Sequence, residues 1–216
     1  MQKATRARPK GLTSRDPDST RQNLLEAAFQ EIYRSGFQAA SLDNILFKAG
    51  VTKGALYHHF SNKQELGYAV VDELIRPRIL SSWLMPISQA PDPIDGLLAQ
   101  ISLGPQHPSF DPILGCPLNN LAQEMSPLDE GFRTRLQGLY REWRDGIANA
   151  LRRGQETGCV KPDIDPYASA DFMVAALQGG LSLAKNAQDI RLLESCRKGL
   201  VTYLESLRHS PRPVEV

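Results

Sequence analysis

The chain has 216 residues, 41% hydrophobic and 23% charged, enough for a small module beside a larger core. No apolar run approaches the roughly eighteen residues of a membrane span, and the basic opening stretch lacks the apolar segment of an export signal, so no membrane partner is expected and the expected compartment is the cytoplasm. Net charge is only +1, but residues 1–66 hold ten Lys and Arg against six Asp and Glu, while the remainder holds fifteen against eighteen; any phosphate-binding surface therefore belongs to the first third. Three cysteines, at 116, 159 and 196, are too far apart for a CxxC motif and read as reduced thiols. No metal site and no cofactor is expected.

In chain order, residues 1–16 carry Lys3, Arg6, Arg8, Lys10 and Arg15, interrupted by Pro9 and Gly11. They read either as a solvated tail or as an arm that orders in a minor groove. A first helix starts near Asp18 or Ser19, with Ser19 and Gln22 as a capping box. Its stripe of Leu24, Leu25, Ala28, Phe29, Ile32 and Tyr33 ends at Gly36. Ser41 caps a second helix with Leu42, Ile45, Leu46 and Ala49 inward, and Gly50 stops it. Thr52 caps a third helix of about two turns that buries Leu56 and Phe60. Ser61 restarts the chain, with Gln64 as its capping partner.

Two helices joined by so short a turn have the geometry of a helix-turn-helix, whose second helix enters the major groove of DNA. Thr52 and Lys53 lie where the helix dipole and free N–H groups favour phosphate. Gly54 lets the backbone approach closely, at about 1 kcal/mol of helix propensity. The Tyr57 hydroxyl reaches phosphate, His58 donates to a base edge or to the backbone, and Lys63 adds charge at the next helix start. His59, beside Phe60, reads as packing or capping. The alternative for the whole cluster is a solvated helix face.

The run from Thr20 to Asp72 resembles the N-terminal domain of the tetracycline-repressor (TetR) family of bacterial transcription regulators. The residues that carry it are Leu24-Leu25-Glu26-Ala27-Ala28, Gly36-Phe37, Ser41-Leu42-Asp43-Asn44-Ile45, Ala49-Gly50-Val51, Lys53-Gly54-Ala55-Leu56-Tyr57-His58-His59-Phe60 and Lys63-Gln64-Glu65-Leu66. Phe47-Lys48 departs from that pattern, where a small residue is usual, and is read as altered packing. The resemblance implies DNA contacts at Ser41, Thr52, Lys53, Gly54, Tyr57, His58 and Lys63.

Beyond Asn62 a longer helix packs through Leu66, Ala69, Val70, Glu73 and Leu74, and Pro77 is expected to kink or end it. Ile79, Leu80, Trp83 and Leu84 continue the apolar pattern to Pro86. A proline-rich break at 89–93 leads to a short helix, Ile94–Leu103, then a long loop at 104–115. Pro117 suits a first helical position, so Cys116 falls at the N-cap of a helix running to Met125, with Asn119, Asn120 and Gln123 on its face. A thiol there is either a space-filling core group or a thiolate stabilised by the helix end. The Gly115-Cys116 start resembles an electrophile- and oxidant-responsive subgroup of the same family; that resemblance implies a sensor at Cys116 and a nearby basic residue, for which Lys185 is the match. A long helix spans 127–157, with Trp143 lining a pocket or filling the core. Two more follow at 166–187 and 192–208. Their small-residue strip Ala176, Gly180, Ala184 and the apolar set Leu200, Tyr203, Leu204, Leu207, with Leu192, Leu193 and Cys196, read as a dimer surface. Phe110, Trp143, Phe172 and Gln178 are candidate pocket residues.

The expected architecture is all-α: a basic arm (1–16), a three-helix DNA-binding domain (17–66), an effector-binding and dimerisation domain (67–210) and a tail (211–216). The expected function is that of a regulator, not an enzyme. It would bind palindromic double-stranded operator DNA as a homodimer, most simply as a repressor released by a small-molecule effector or an electrophile. Two rivals remain: a helical DNA-binding structural protein without an effector, and a cysteine-dependent enzyme pairing Cys116 with His107.

Overall fold

The structure, a computed structural model, describes residues 17–103 and 111–209. The basic arm, His107, Phe110 and the 211–216 tail lie outside the described residues. Among those described, the chain forms α1 (Pro17–Ser35), α2 (Leu42–Ala49), α3 (Lys53–His59), α4 (63–89), α5 (Pro93–Leu103), α6 (Pro117–Met125), α7 (Glu130–Glu156), α8 (Pro166–Ala187) and α9 (Ile190–Ser206). The only extended pairing among them is a bridge between Val160 and Arg208. None of the described helices is long and apolar enough to cross a membrane.

The first three helices form where their caps dictate. The Ser41 side chain accepts from the Asn44 N–H at the start of α2, and Gly50 ends it at φ 65°, a left-handed conformation that an L side chain resists. Thr52 accepts from the Ala55 N–H to open α3. The next cap differs from expectation: Asn62, not Ser61, accepts from the Glu65 N–H at 2.8 Å. Helix α1 packs on α2 and α3, and Leu24, Leu25 and Ala28 share a buried core with Ile45, Ala49, Leu56 and Phe60.

Pro77 neither ends nor breaks α4. Two wide π turns, Val71–Ile75 and Leu80–Leu84, lie just ahead of Pro77 and Pro86. Arg76 and Met85, each preceding a proline, donate five residues back, to the Val71 and Leu80 carbonyls. The widened turn makes room for the ring and reassigns the bond it cannot make. The long helix begins at Glu130, capped by Asp129 at 2.9 Å to the Phe132 N–H, three residues later than the apolar spacing suggests. At the far end, the buried Arg208 guanidinium holds Asp92, Asp95 and Glu205 at 2.5–2.6 Å and so ties the end of α9 to the start of α5.

Helices α1 and α2 are also clamped electrostatically. The buried Glu31 carboxylate receives Lys48 Nζ at 2.6 Å and Asn44 Nδ2 at 3.0 Å. The Lys48 bond, followed by that of Asn44, holds its pKa below the ordinary carboxylate range. A depressed folded-state pKa contributes stability that is present above the unfolded value and lost as pH falls through the folded one. Glu31→Ala is expected to cost about 1–3 kcal/mol in urea unfolding at pH 7. The gap to wild type should narrow toward pH 3, where wild-type Glu31 takes up its own proton.

Candidate nucleic-acid interface and ligand cavity

The reading segment is displayed, not packed. Thr52, Lys53, Gly54, Tyr57 and His58 are all exposed on α3, while Leu56 and Phe60 anchor it beneath. Lys53 Nζ stands 6.0 Å from the centre of the Tyr57 ring. A Cβ built at Gly54 would meet nothing nearer than Thr52 Oγ1 at 3.9 Å, so the fold itself does not require glycine there. Ser41 is half-buried and its hydroxyl is engaged in the cap.

Lys63 departs from the expected exposed charge. Its Nζ donates to the Gln38 carbonyl at 3.1 Å and lies 5.0 Å from the centre of the Phe37 ring. Desolvation there lowers its pKa from the ordinary lysine range. What Lys63 presents outward is the N-terminal backbone of α4. Phe47 also departs, in the other direction: it is 86% exposed, so it repacks nothing. The sequence held that signal, because position 47 falls off the inward stripe of Leu42, Ile45, Leu46 and Ala49.

The C-terminal helices, with α1, form a half-open cavity of about 560 Å³. Every helix except α2 and α3 contributes to its wall: Phe29 from α1, Ile75, Arg78, Ile79 and Trp83 from α4, Gln100 and Ile101 from α5, Pro117 from α6 with its cap Cys116, Trp143 from α7, Leu177 and Leu181 from α8, Leu193 and Arg197 from α9. Trp143 thus lines the cavity, its ring 5.1 Å from that of Trp83. Gln178 is buried behind Cys116, with Nε2 at 3.5 Å from Sγ. Phe172 is not a cavity residue; it is half-exposed on the outside of α8 and stacks edge-on against Tyr203 at 4.6 Å. Sequence reasoning missed Arg78 and Arg197. Both fall on apolar stripes, Arg78 between Ile75 and Ile79 and Arg197 between Leu193 and Leu200, and a charge at an inward position was the available signal.

Cys116 sits at the N-cap of α6, as the Gly-Cys-Pro run predicts. Burial pushes the thiol above its ordinary range, and the Asn119 and Leu118 N–H groups with the Gln178 amide offset this only in part. Lys185 reaches the same helix start: its Nζ donates to Asn120 Oδ1 at 3.1 Å, and a Cβ built at Gly115 would stand 3.0 Å from its Cδ.

The dimer residues need a similar correction. Gly180 and Ala184 are buried within the chain, and a Cβ at Gly180 would stand 2.9 Å from the Cβ of Cys196. The small-residue strip, with half-buried Ala176, therefore admits α9 of the same chain. Leu200, Leu204 and Leu207 are core, and Tyr203 is half-buried. The outward face is a different one: Phe172, Ala175, Gly179 and Leu183 on α8, and Leu192, Ser195 and Gly199 on α9, all exposed. Gly179 and Gly199 have open space where a Cβ would go.

Helix α6 joins cavity to reading head. Its N-terminal end, Cys116 and Pro117, forms cavity wall. Near its C-terminal end the Glu124 carboxylate accepts the N–H groups of Phe37 and Gln38, each at 2.8 Å, in the turn after α1. The Tyr33 hydroxyl of α1 lies 2.8 Å from the Asp111 carbonyl and 2.5 Å from that of Gly115, just ahead of α6. Among the described residues, no group of three or more His, Cys, Asp or Glu could hold a metal ion.

Comparison with known proteins agrees with this architecture on both halves. Residues 24–70 match the family described as bacterial regulatory proteins, tetR family, and residues 96–200 match the tetracyclin repressor-like C-terminal domain. An HTH-type transcriptional regulator encoded in the lacX 3' region of Lactococcus lactis is 32% identical over 82% of this chain and 89% of its own. The HTH-type transcriptional repressor DhaR of a Mycobacterium species is 31% identical over 74% of this chain and 80% of its own. The crystal structure of regulatory protein TetR from Rhodobacter sphaeroides superposes with a TM-score of 0.77 at 26% identity, covering 85% of this chain and 98% of that one.

A thiol with a raised pKa is mostly neutral at physiological pH and alkylates through a small thiolate fraction. In a variant keeping only Cys116 (Cys159→Ser, Cys196→Ser), iodoacetamide labelling followed by mass spectrometry is expected to run slower than for a free thiol at pH 7.5. The rate should keep rising with pH above 9; a plateau below pH 8 contradicts the raised pKa.

Proposed function

The chain belongs to the TetR family of bacterial transcriptional regulators, and from that premise we propose that it is a homodimeric, cytoplasmic repressor that binds palindromic operator DNA and lets go when a small molecule fills the C-terminal cavity. Family and relatives are regulators, not enzymes. The observation that carries the DNA reading is Gly54: an exposed glycine inside a seven-residue helix lowers its own stability, and nothing in the chain needs the space. A duplex backbone pressed against α3 does. Thr52 and Lys53 then meet phosphate at the helix start, Tyr57 and His58 lie one turn further along the exposed face, and Ser41 and the first N–H groups of α4 at Lys63 flank it.

A twofold dimer places the second copy of α3 about 34–36 Å away, one turn of DNA or a small adjustment of it. The exposed apolar stripe of Phe172, Leu183 and Leu192 supports this pairing, with Gly179 and Gly199 admitting close helix approach. The units of this reading are an arm at 1–16, a DNA-binding domain at 17–66, an effector and dimer domain at 67–210 and a tail at 211–216.

A cavity of drug-ligand size argues against a purely structural DNA-binding protein, and the raised thiol pKa argues for a non-covalent occupant over an electrophile at Cys116. Occupancy would displace α6, whose Glu124 carries the shift to the Phe37–Gln38 turn and so to the spacing of the two reading helices. Coupling of this kind typically changes affinity by about 5–150-fold.

Two substitutions test the reading. Gly54→Ala is expected to raise thermal stability by about 0.5–1 kcal/mol, while weakening binding to DNA flanking the gene at least tenfold in fluorescence anisotropy. Equal or tighter binding by this variant removes the main support for α3 as the reading helix. Leu183→Glu is expected to give a folded monomer by sedimentation and circular dichroism, with operator affinity lost. A stable dimer in that variant places the interface elsewhere.

A further inference from the structure

Among the described residues, the wall of the cavity is apolar over most of its extent but carries two guanidinium groups, Arg78 and Arg197, and no Asp or Glu. Arg78 is fixed there: its Nη2 donates to Glu26 at 2.8 Å, and its Cζ lies 4.1 Å from the centre of the Phe29 ring. Arg197 is absent from every ion pair formed among the described residues. Three N–H groups on these lining residues, Arg78 Nη1, Arg197 Nε and the indole Nε1 of Trp143, are buried without an acceptor among the described residues. Unpaired buried donors are rare and destabilising, the more so on a charged group. All three lack the same thing, an acceptor, and two of them carry positive charge.

We propose that the effector of this cavity is an organic carboxylate: an apolar body along Phe29, Ile75, Ile79, Ile101 and Leu177, with its anionic head among Arg78, Arg197 and the Trp143 N–H. This rests on the reading of the chain as an effector-controlled regulator and adds the chemical class of the effector. The volume fits a medium-sized molecule. A charged acceptor satisfies donors that a neutral amide meets less strongly and that a protonated amine, with no lone pair and a like charge, cannot meet at all.

The chain has two tryptophans, Trp83 and Trp143, and both line the cavity, so intrinsic fluorescence reports its occupancy. The full-length protein is titrated with octanoate, octanamide and octylamine, three probes with the same apolar chain. Octanoate is expected to bind at least about tenfold tighter than octanamide, and octylamine to give no saturable signal. Arg197→Gln should bring octanoate and octanamide within about threefold of each other without changing octanamide affinity, whereas Arg197→Lys should keep part of the preference. Equal affinity for the acid and the amide in wild type overturns the proposal, as does the absence of a saturable octanoate response up to millimolar concentration. An undiminished preference in a folded Arg197→Gln variant overturns it too. Operator binding is measured on the same preparation without additives. DNA binding without carboxylate preference ends only the ligand class; carboxylate preference without DNA binding ends only the regulator reading.

Discussion

A single carboxylate, Glu124, accepts two successive backbone N–H groups, those of Phe37 and Gln38, across the junction between the reading module and the body. These N–H groups belong to the turn that follows α1, where helical bonding has stopped and donors would otherwise face outward. The carboxylate sits close to one end of α6, and the other end is cavity wall, about 12 Å away at 1.5 Å per residue. A rigid rod of nine residues thus touches both the space that can be filled and the turn that sets the attitude of α2 and α3. The rest of the junction is tightly packed. A Cβ at Gly67 would stand 2.5 Å from the Phe37 ring and 2.7 Å from the Phe132 ring, and Tyr68 donates to Asp129 at 2.7 Å. Arg135 holds Asp72 at 2.9 Å on the same side.

Much of the reading head was legible in the sequence because its determinants are local. Ser41, Gly50 and Thr52 each act within four residues of themselves, and caps of this kind can be read without knowing what the helix packs against. The exposure of Lys53, Gly54, Tyr57 and His58 followed from the same spacing that buries Leu56. Lys63 escaped because its partner, the Gln38 carbonyl, comes from a turn twenty-five residues earlier in the chain.

The body was legible as helices but not as surfaces. Spacing shows that Ala176, Gly180 and Ala184 admit a neighbour; it does not show whether the neighbour is α9 or a second chain. Gly180 against Cys196 settles that question for the inner face, and Gly179, one residue away, turns outward. The cavity was the least legible feature, since seven helices contribute to it and no stretch of sequence holds more than a fraction of its wall. Its polar members were nonetheless marked. Arg78 and Arg197 interrupt apolar stripes at inward positions, and a charge in such a place needs a reason.

The two wide turns of α4 bear on how this protein can diverge. Each takes in about one residue more than an α turn, which offsets the side chains after it by about 100° from those before. The angular phase between the N-terminal end of α4 and the cavity residues Arg78 and Ile79 is therefore set by residue count within 71–75, and that of Pro86 also by residue count within 80–84. Substitutions there leave that phase intact. Loss of one residue would rotate the cavity-lining side chains away from their partners, so along this helix length is constrained more tightly than identity.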